Sequence, residues 1–258
     1  MIEELIKKRI VQIAKQPPKN GRDFDGLHLT IPLLAEDYPA KTAIMWNTAY
    51  RSFKIPDQNV MLVAEPKNIS EILQVFRKDD RYIGGGVGIG FKEVILPHLD
   101  HVIPLARAIG AVNVIKKVNG KLIGYNTDGE GYAKSLEEHL AHLSPRAVRI
   151  LMLGAGGSGR AIAFALAERG MHLTILNRTK EKAIELAETV NNHFGVQIAR
   201  GEGRDLIPAF VPGADAIVSV IDDAKSPLDQ YSTIGEMNPV ISDASIEKAA
   251  AIKKTQTK

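Results

Sequence analysis

The chain has 258 residues, enough for one large domain or two modest ones. Apolar residues make up 45% and charged residues 24%, a globular balance that excludes wholesale disorder. Its 33 Lys and Arg against 30 Asp and Glu leave a net charge of +3, too mild and too evenly spread to indicate nucleic acid or an anionic membrane as partner.

The absence of cysteine removes disulfides, thiolate nucleophiles and Cys-ligated metals. No apolar stretch approaches the ~18 residues of a spanning helix. The opening residues, with acids at Glu3 and Glu4, lack the apolar core of a signal peptide. A cytoplasmic protein is expected.

Residues 2–14 carry Ile2, Leu5, Ile6, Ile10 and Ile13 at helical spacing and predict a short amphipathic helix. Residues 16–25, with paired prolines and Asn20-Gly21, read as a loop. Strand and helix patterns then alternate: strand 27–33, helix 41–53, strand 60–64, helix 69–77, a Gly-rich strand and loop at 82–89, and helix 103–109. Val112–Val118 and Leu122–Tyr125 flank Asn119-Gly120, a strong hairpin signal. A helix over 129–143 follows. Beyond Ser144-Pro145 the pattern is strand 148–153, helix 158–169, strand 173–176 and helix 180–194, then strands 196–199, 216–220 and 240–242. This places a domain boundary near 145, giving domains 1–144 and 145–258 with a basic, fraying end.

Gly154-Ala155-Gly156-Gly157-Ser158-Gly159 follows a strand and opens a helix, the context in which G-x-G-x-x-G binds a dinucleotide. Gly154 suits the tight turn, Gly156 lets a pyrophosphate approach the backbone, and Gly159 lets helix pack on strand. The phosphates then sit at a positive helix N-terminus. The second strand of an NAD site ends in an acid, but here Asn177-Arg178-Thr179-Lys180-Glu181-Lys182 follows. Arg178 offers a planar guanidinium to a 2′-phosphate, with Lys182 one helical turn later, so the pattern favours NADP. A merely solvated basic helix start is the other reading, and it sets positive charge against the helix dipole.

The histidine pairs His98/His101 and His139/His142 have i,i+3 spacing but no patterned third ligand, so they read as exposed helical residues and no metal is expected. Trp46, among Ile44, Met45, Tyr50 and Phe53, reads as core or interface. No G-x-S-x-G is present to suggest a hydrolase.

Three further segments carry chemistry: Gly90-Phe91-Lys92-Glu93, Ile109-Gly110-Ala111-Val112-Asn113, and Gly124-Tyr125-Asn126-Thr127-Asp128-Gly129. With the glycine loop and Asn177-Arg178-Thr179, they resemble the shikimate/quinate dehydrogenase family from about Met45 to Thr179. The resemblance implies an α/β protein, a mixed αβα substrate domain followed by a Rossmann-type dinucleotide-binding domain. It implies reversible, NADP-dependent oxidation of the ring hydroxyl of shikimate to a ketone.

On the same resemblance, Lys92 and Asp128 are the acid–base and orienting pair, Asn113 and Asn126 bind substrate hydroxyls or frame their site, and Thr42 keeps one of the hydroxyls that hold the substrate carboxylate. Gly154, Gly156, Gly157, Ser158, Gly159, Asn177, Arg178, Thr179 and Lys182 bind the cofactor. The expected partner is a small cyclic hydroxy acid, and the self-assembly to test is a homodimer. The residue types agree independently, because the charge state of a Lys beside an Asp responds to small environmental changes. Alone, the two would read as a surface ion pair.

The chain departs from the family at substrate-holding positions. Ala40 and Gly88 stand where the family has hydroxyl side chains, and Trp46 stands for a His. Ile246 replaces the Tyr of a D-x-x-Y that begins at Asp243, and Asp222-Asp223 occupy the place of an N-x-T-P-x-G-M loop. A closing G-x-x-M-L-x-x-Q motif is not found before Lys258. These departures keep open a quinate-type dehydrogenase, a catalytically weakened cofactor-binding or regulatory relative, and a methylene-folate-type dehydrogenase on the same architecture.

Overall fold

The computed structural model describes residues 1–14, 26–37, 41–88, 90–141 and 143–221, and the backbone of 240–243. The 16–25 loop, Ala40, His142, Asp222-Asp223, Ile246 and the basic end lie outside the described residues. The chain divides into two compact units, 1–126 and 127–258. The division precedes Ser144-Pro145, so the helix expected to close the first domain packs with the second.

The first unit contains α1 (Ile2–Lys7), β1 (Val11–Ile13), β2 (Leu29–Thr30), β3 (Leu33–Leu34), α2 (Lys41–Ser52), β4 (Gln58–Asn59) and β5 (Leu62–Ala64). It continues through α3 (Ile69–Lys78), β6 (Tyr82–Gly86), β7 (His101–Val102), α4 (Pro104–Ile109), β8 (Val114–Val118) and β9 (Lys121–Tyr125). The strands form a three-stranded sheet, β1-β5-β3, and a six-stranded sheet, β4-β2-β6-β8-β9-β7.

Two expectations fail here for identifiable reasons. The helix expected over 2–14 ends at Lys7, and Arg9 reverses the chain at φ 58°. Val11–Ile13, with β-branched residues at both ends, then pairs antiparallel with Leu62–Ala64, so an available strand partner overrides the helical spacing. The single strand expected over 27–33 is two, split around Pro32, which lacks a ladder donor. β2 pairs with β4 and β6, whereas β3 pairs with β5. The hairpin forms as expected, with Asn119 at φ 51° and Gly120 at φ 76°.

Helix α3 buries Ile69, Ile72, Leu73 and Phe76, and Phe76 stacks on Tyr82 at a 4.1 Å centroid separation. At its end Asp79, 5% exposed, accepts from the Arg81 guanidinium at 2.9 Å and from the Ile2 amide at 3.3 Å. Arg81 also grips Glu3 through both terminal nitrogens, at 2.9 and 3.0 Å. Burial opposes ionisation of Asp79, but Arg81 and the backbone amides outweigh it and hold the carboxyl at about 2, below its ordinary 3.8.

A carboxyl whose folded pKa is depressed contributes stability that is complete above its unfolded value and is lost as pH falls through the folded one. For Asp79 that contribution is about 2 kcal/mol. Asp79→Asn should therefore be less stable by about this amount in urea melts at neutral pH, with the gap closing towards about pH 2. A gap independent of pH would contradict the assignment.

The second unit contains α5 (Asp128–His139), β10 (Arg149–Leu153), α6 (Gly157–Glu168), β11 (His172–Asn177), α7 (Lys180–Phe194), β12 (Ala199–Gly203), α8 (Ile207–Phe210), β13 (Ala216–Ser219) and β14 (Val240–Asp243). Its strands form one parallel sheet in the order β12-β11-β10-β13-β14. β10 and β13 are short apolar runs, as strands covered on both faces require, and β11 buries Leu173, Ile175 and Leu176. Strand order reverses between β10 and β13, and the carboxyl edge at such a point is where doubly wound sheets bind ligands.

The strand expected at 196–199 begins only at Ala199. The turn leaving α7 consumes the earlier residues, because Asn191 Oδ1 accepts from the amides of Ile198 and Ala199, each at 2.9 Å.

Candidate active site

Gly154 ends β10 at φ +109°, a conformation that L side chains rarely adopt, and its amide donates to the Leu176 carbonyl at 2.8 Å. A Cβ on Gly159 would lie 2.5 Å from the Gly154 carbonyl oxygen, so α6 starts directly against the strand end. A Cβ on Gly156 would meet nothing within 4 Å. The fold itself therefore does not need glycine at 156, whereas a pyrophosphate approaching the backbone does. Gly157 and Ser158 open α6, where first-turn amides lack intrahelical partners.

Beside the loop lies a cavity of about 250 Å³, lined by Gly156, Asn177, Arg178, Thr179, Lys182 and Arg204 among others. Asn177 Nδ2 donates to the Thr179 carbonyl at 2.9 Å and shapes the turn that presents Arg178. Lys180 instead pairs with Glu202 at 2.8 Å, which raises its pKa. The glycine loop and the basic segment thus adjoin one concavity, and its donor set fits a phosphorylated nucleotide. Arg204 escaped the sequence reading, because it belongs to no motif and only the pairing of β11 with β12 brings it here.

In the first unit, the turn after β6 carries Lys92, which is half-buried. Its carbonyl accepts from the Val112 amide at 2.8 Å. The Asn113 carbonyl accepts from the Val87 amide at 2.6 Å, and the Asn113 amide donates to the Tyr125 carbonyl at 2.9 Å. Asn126 is buried, and its Nδ2 donates to the Ala111 carbonyl at 3.0 Å. Backbone bonds therefore draw together the segments bearing Lys92, Asn113 and Asn126. Thr42 stands on the exposed side of α2, a separate element.

Helix α2 is tied to β4 by a two-way amide contact that the sequence did not reveal. Asn47 Nδ2 donates to the Asn59 carbonyl at 2.9 Å, and Asn47 Oδ1 accepts the Asn59 amide at 2.7 Å. Trp46 is 45% exposed and so is no core residue, and Ile44 and Met45 are exposed beside it. A Cβ on Gly88 would run into Leu34 Cδ2, so the Leu34 side chain fills the room that a hydroxyl-bearing residue would use.

Asp128 is the first residue of α5, where a carboxylate favours the helix dipole. A Cβ on Gly129 would strike the carbonyl oxygen of Ala161, so α5 rests on the backbone of α6. Arg169, at the end of α6, bonds Glu130 at 2.8 Å and Glu137 at 2.9 Å and staples the two helices along their length. Asp128 is thereby fixed to the helix that the glycine loop opens.

Among the described residues no group of three His, Asp or Glu side chains could hold a metal. His98 lies in a single 3-10 turn and His101 in β7, so these two are not exposed helical residues. No helix among the described residues is long and apolar enough to cross a membrane.

Residues 38–115 match the shikimate dehydrogenase substrate binding domain, and residues 135–228 match the shikimate / quinate 5-dehydrogenase family. A shikimate dehydrogenase (NADP(+)) of Methanothermobacter thermautotrophicus is 39% identical over 176 residues, covering 68% of this chain and 60% of that relative. Other matched relatives are covered over about half their length, 48% and 51% in two cases.

Among solved structures, shikimate dehydrogenase from Aquifex aeolicus superposes with a TM-score of 0.75 at 28% identity, covering 92% of this chain and 85% of that one. The Thermus thermophilus shikimate 5-dehydrogenase in complex with NADP(H) and shikimate superposes with a TM-score of 0.61 at 28% identity, covering 75% and 68%. With the substrate binding domain matched over 38–115 and the shikimate / quinate 5-dehydrogenase family over 135–228, in that order, the chain belongs to the shikimate dehydrogenase family.

Proposed function

We propose that the chain is an NADP-dependent oxidoreductase of the shikimate dehydrogenase type, interconverting shikimate and 3-dehydroshikimate in the cytoplasm as a step of aromatic amino acid biosynthesis. The observation that carries this reading is the Arg178–Lys182 cavity beside an open glycine loop, in a chain with a relative named for NADP(+). A further relative is solved with NADP(H) and shikimate. When bound, NADP supplies the acceptor for the hydride leaving the hydroxyl-bearing ring carbon.

The chain's own residues do the rest. The amides opening α6 and the bare backbone at Gly156 hold the pyrophosphate, and Arg178 and Lys182 pair with the 2′-phosphate. Asn113 bonds a substrate hydroxyl, Thr42 bonds the substrate carboxylate, and Asn126 steadies the Asn113 segment. Lys92 Nζ takes the hydroxyl proton as the alcohol becomes a ketone and returns it in the reverse direction. Asp128 takes the orienting role that the family resemblance gives it.

The test is the appearance of reduced nicotinamide when NADP⁺ is offered with shikimate, quinate or aminoshikimate. Shikimate should give the highest kcat/KM, with a high KM because Ala40 and Gly88 offer no hydroxyl. Absence of turnover with all three, while NADPH still binds, would overturn the proposal.

A further inference from the structure

Strands β11 and β12 run parallel, with Leu176 opposite Glu202 and Asn177 opposite Gly203. Immediately beyond the last pair of this register come Arg178, in the turn that leads into α7, and Arg204, which opens a 3-10 turn after β12. Both line the same cavity of about 250 Å³ with Lys182, and no carboxylate is among the described lining residues. The carboxylate next in line, Glu202, is held by Lys180 at 2.8 Å. Arg204 itself is half-buried rather than splayed into solvent.

We infer that Arg204 is a specificity-determining residue, a third cation that binds the 2′-phosphate of the dinucleotide from the β12 side. The inference rests on the NADP reading above and adds to it a residue from a different strand. A phosphate monoester carries close to two negative charges and three acceptor oxygens at neutral pH. One guanidinium engages two of those oxygens in a fork, so a second cation approaching from another direction finds an acceptor still open. Arg178 and Lys182 approach from the start of α7, and Arg204 approaches from the end of the adjacent strand. The 2′-phosphate is thus clamped between two segments, which excludes a ribose lacking it more sharply than a single basic turn does.

The experiment measures calorimetric dissociation constants for 2′,5′-ADP and 5′-AMP, a pair that differs only in the 2′-phosphate. Arg204→Ala should weaken 2′,5′-ADP at least about tenfold and leave 5′-AMP within about twofold, and Arg204→Lys should recover part of the loss. An equal loss for both nucleotides would assign Arg204 to stacking on the adenine or to the fold, and an unchanged 2′,5′-ADP affinity would leave it no role. Either result overturns the inference. If Arg178→Ala abolishes the preference while Arg204→Ala does not, the NADP reading stands and only Arg204 is removed. A wild-type protein that binds both nucleotides equally would sink the NADP reading itself.

Discussion

Replacing Lys92 with alanine is expected to lower kcat at least about a hundredfold while leaving NADPH affinity nearly unchanged. General acid–base assistance contributes about 10²–10⁴ in rate, and Lys92 is the group assigned to carry the hydroxyl proton in both directions. The turn that bears it is anchored through its backbone, with the Lys92 carbonyl accepting from the Val112 amide at 2.8 Å. Truncating the side chain therefore removes the proton carrier without releasing the loop. Lys92→Arg is the informative companion, since a guanidinium keeps its proton throughout the accessible pH range and cannot act as a base. It should retain charge and most substrate affinity yet lose turnover. Normal turnover by Lys92→Ala would remove the lysine from the mechanism, and steady-state kinetics of the three proteins with NADP⁺ and shikimate decide the matter.

The wild-type protein should bind NADPH at least about tenfold more tightly than NADH, and Arg178→Ala should remove most of that difference. Charge-assisted hydrogen bonds to a phosphate contribute about 1.5–3 kcal/mol, and 1.4 kcal/mol is already a factor of ten. Arg178 follows the end of β11, at the position where an acid would hold the ribose of NAD. Its turn is shaped by the Asn177–Thr179 bond rather than by its own side chain, so alanine leaves the turn in place. The loss should fall on NADPH alone, and fluorescence titration of the two reduced cofactors would show it. Equal affinities in the unmutated protein would refute the assignment.

The second unit was legible nearly throughout, because parallel strands covered on both faces read as short apolar runs and the glycine loop marks the turn between β10 and α6. The first unit was harder. Its strands at 29–30, 33–34 and 58–59 are two residues long, too short for a period to show, and their pairing is decided by sheet neighbours. Val11–Ile13 became a strand for the same reason, with β5 as partner. The boundary near 145 was read from Ser144-Pro145, a loop in composition, whereas the division into compact units at 126/127 follows packing, with Gly129 tying α5 to α6. Lys92, Asn113 and Asp128 were singled out through motifs that keep local spacing. Arg204 could not be, since its relation to Arg178 is one of strand register across 26 residues and leaves no local trace.

Where α5 rests on bare backbone at Gly129, the acid and the phosphate-binding turn share one reference frame with no rotamer between them to adjust. Substitutions in the first unit, such as that at position 88, are no part of that frame. A lineage can therefore vary the first unit while inheriting the backbone position of Asp128 on the second, and a single methyl group added at 129 would cost it that inheritance.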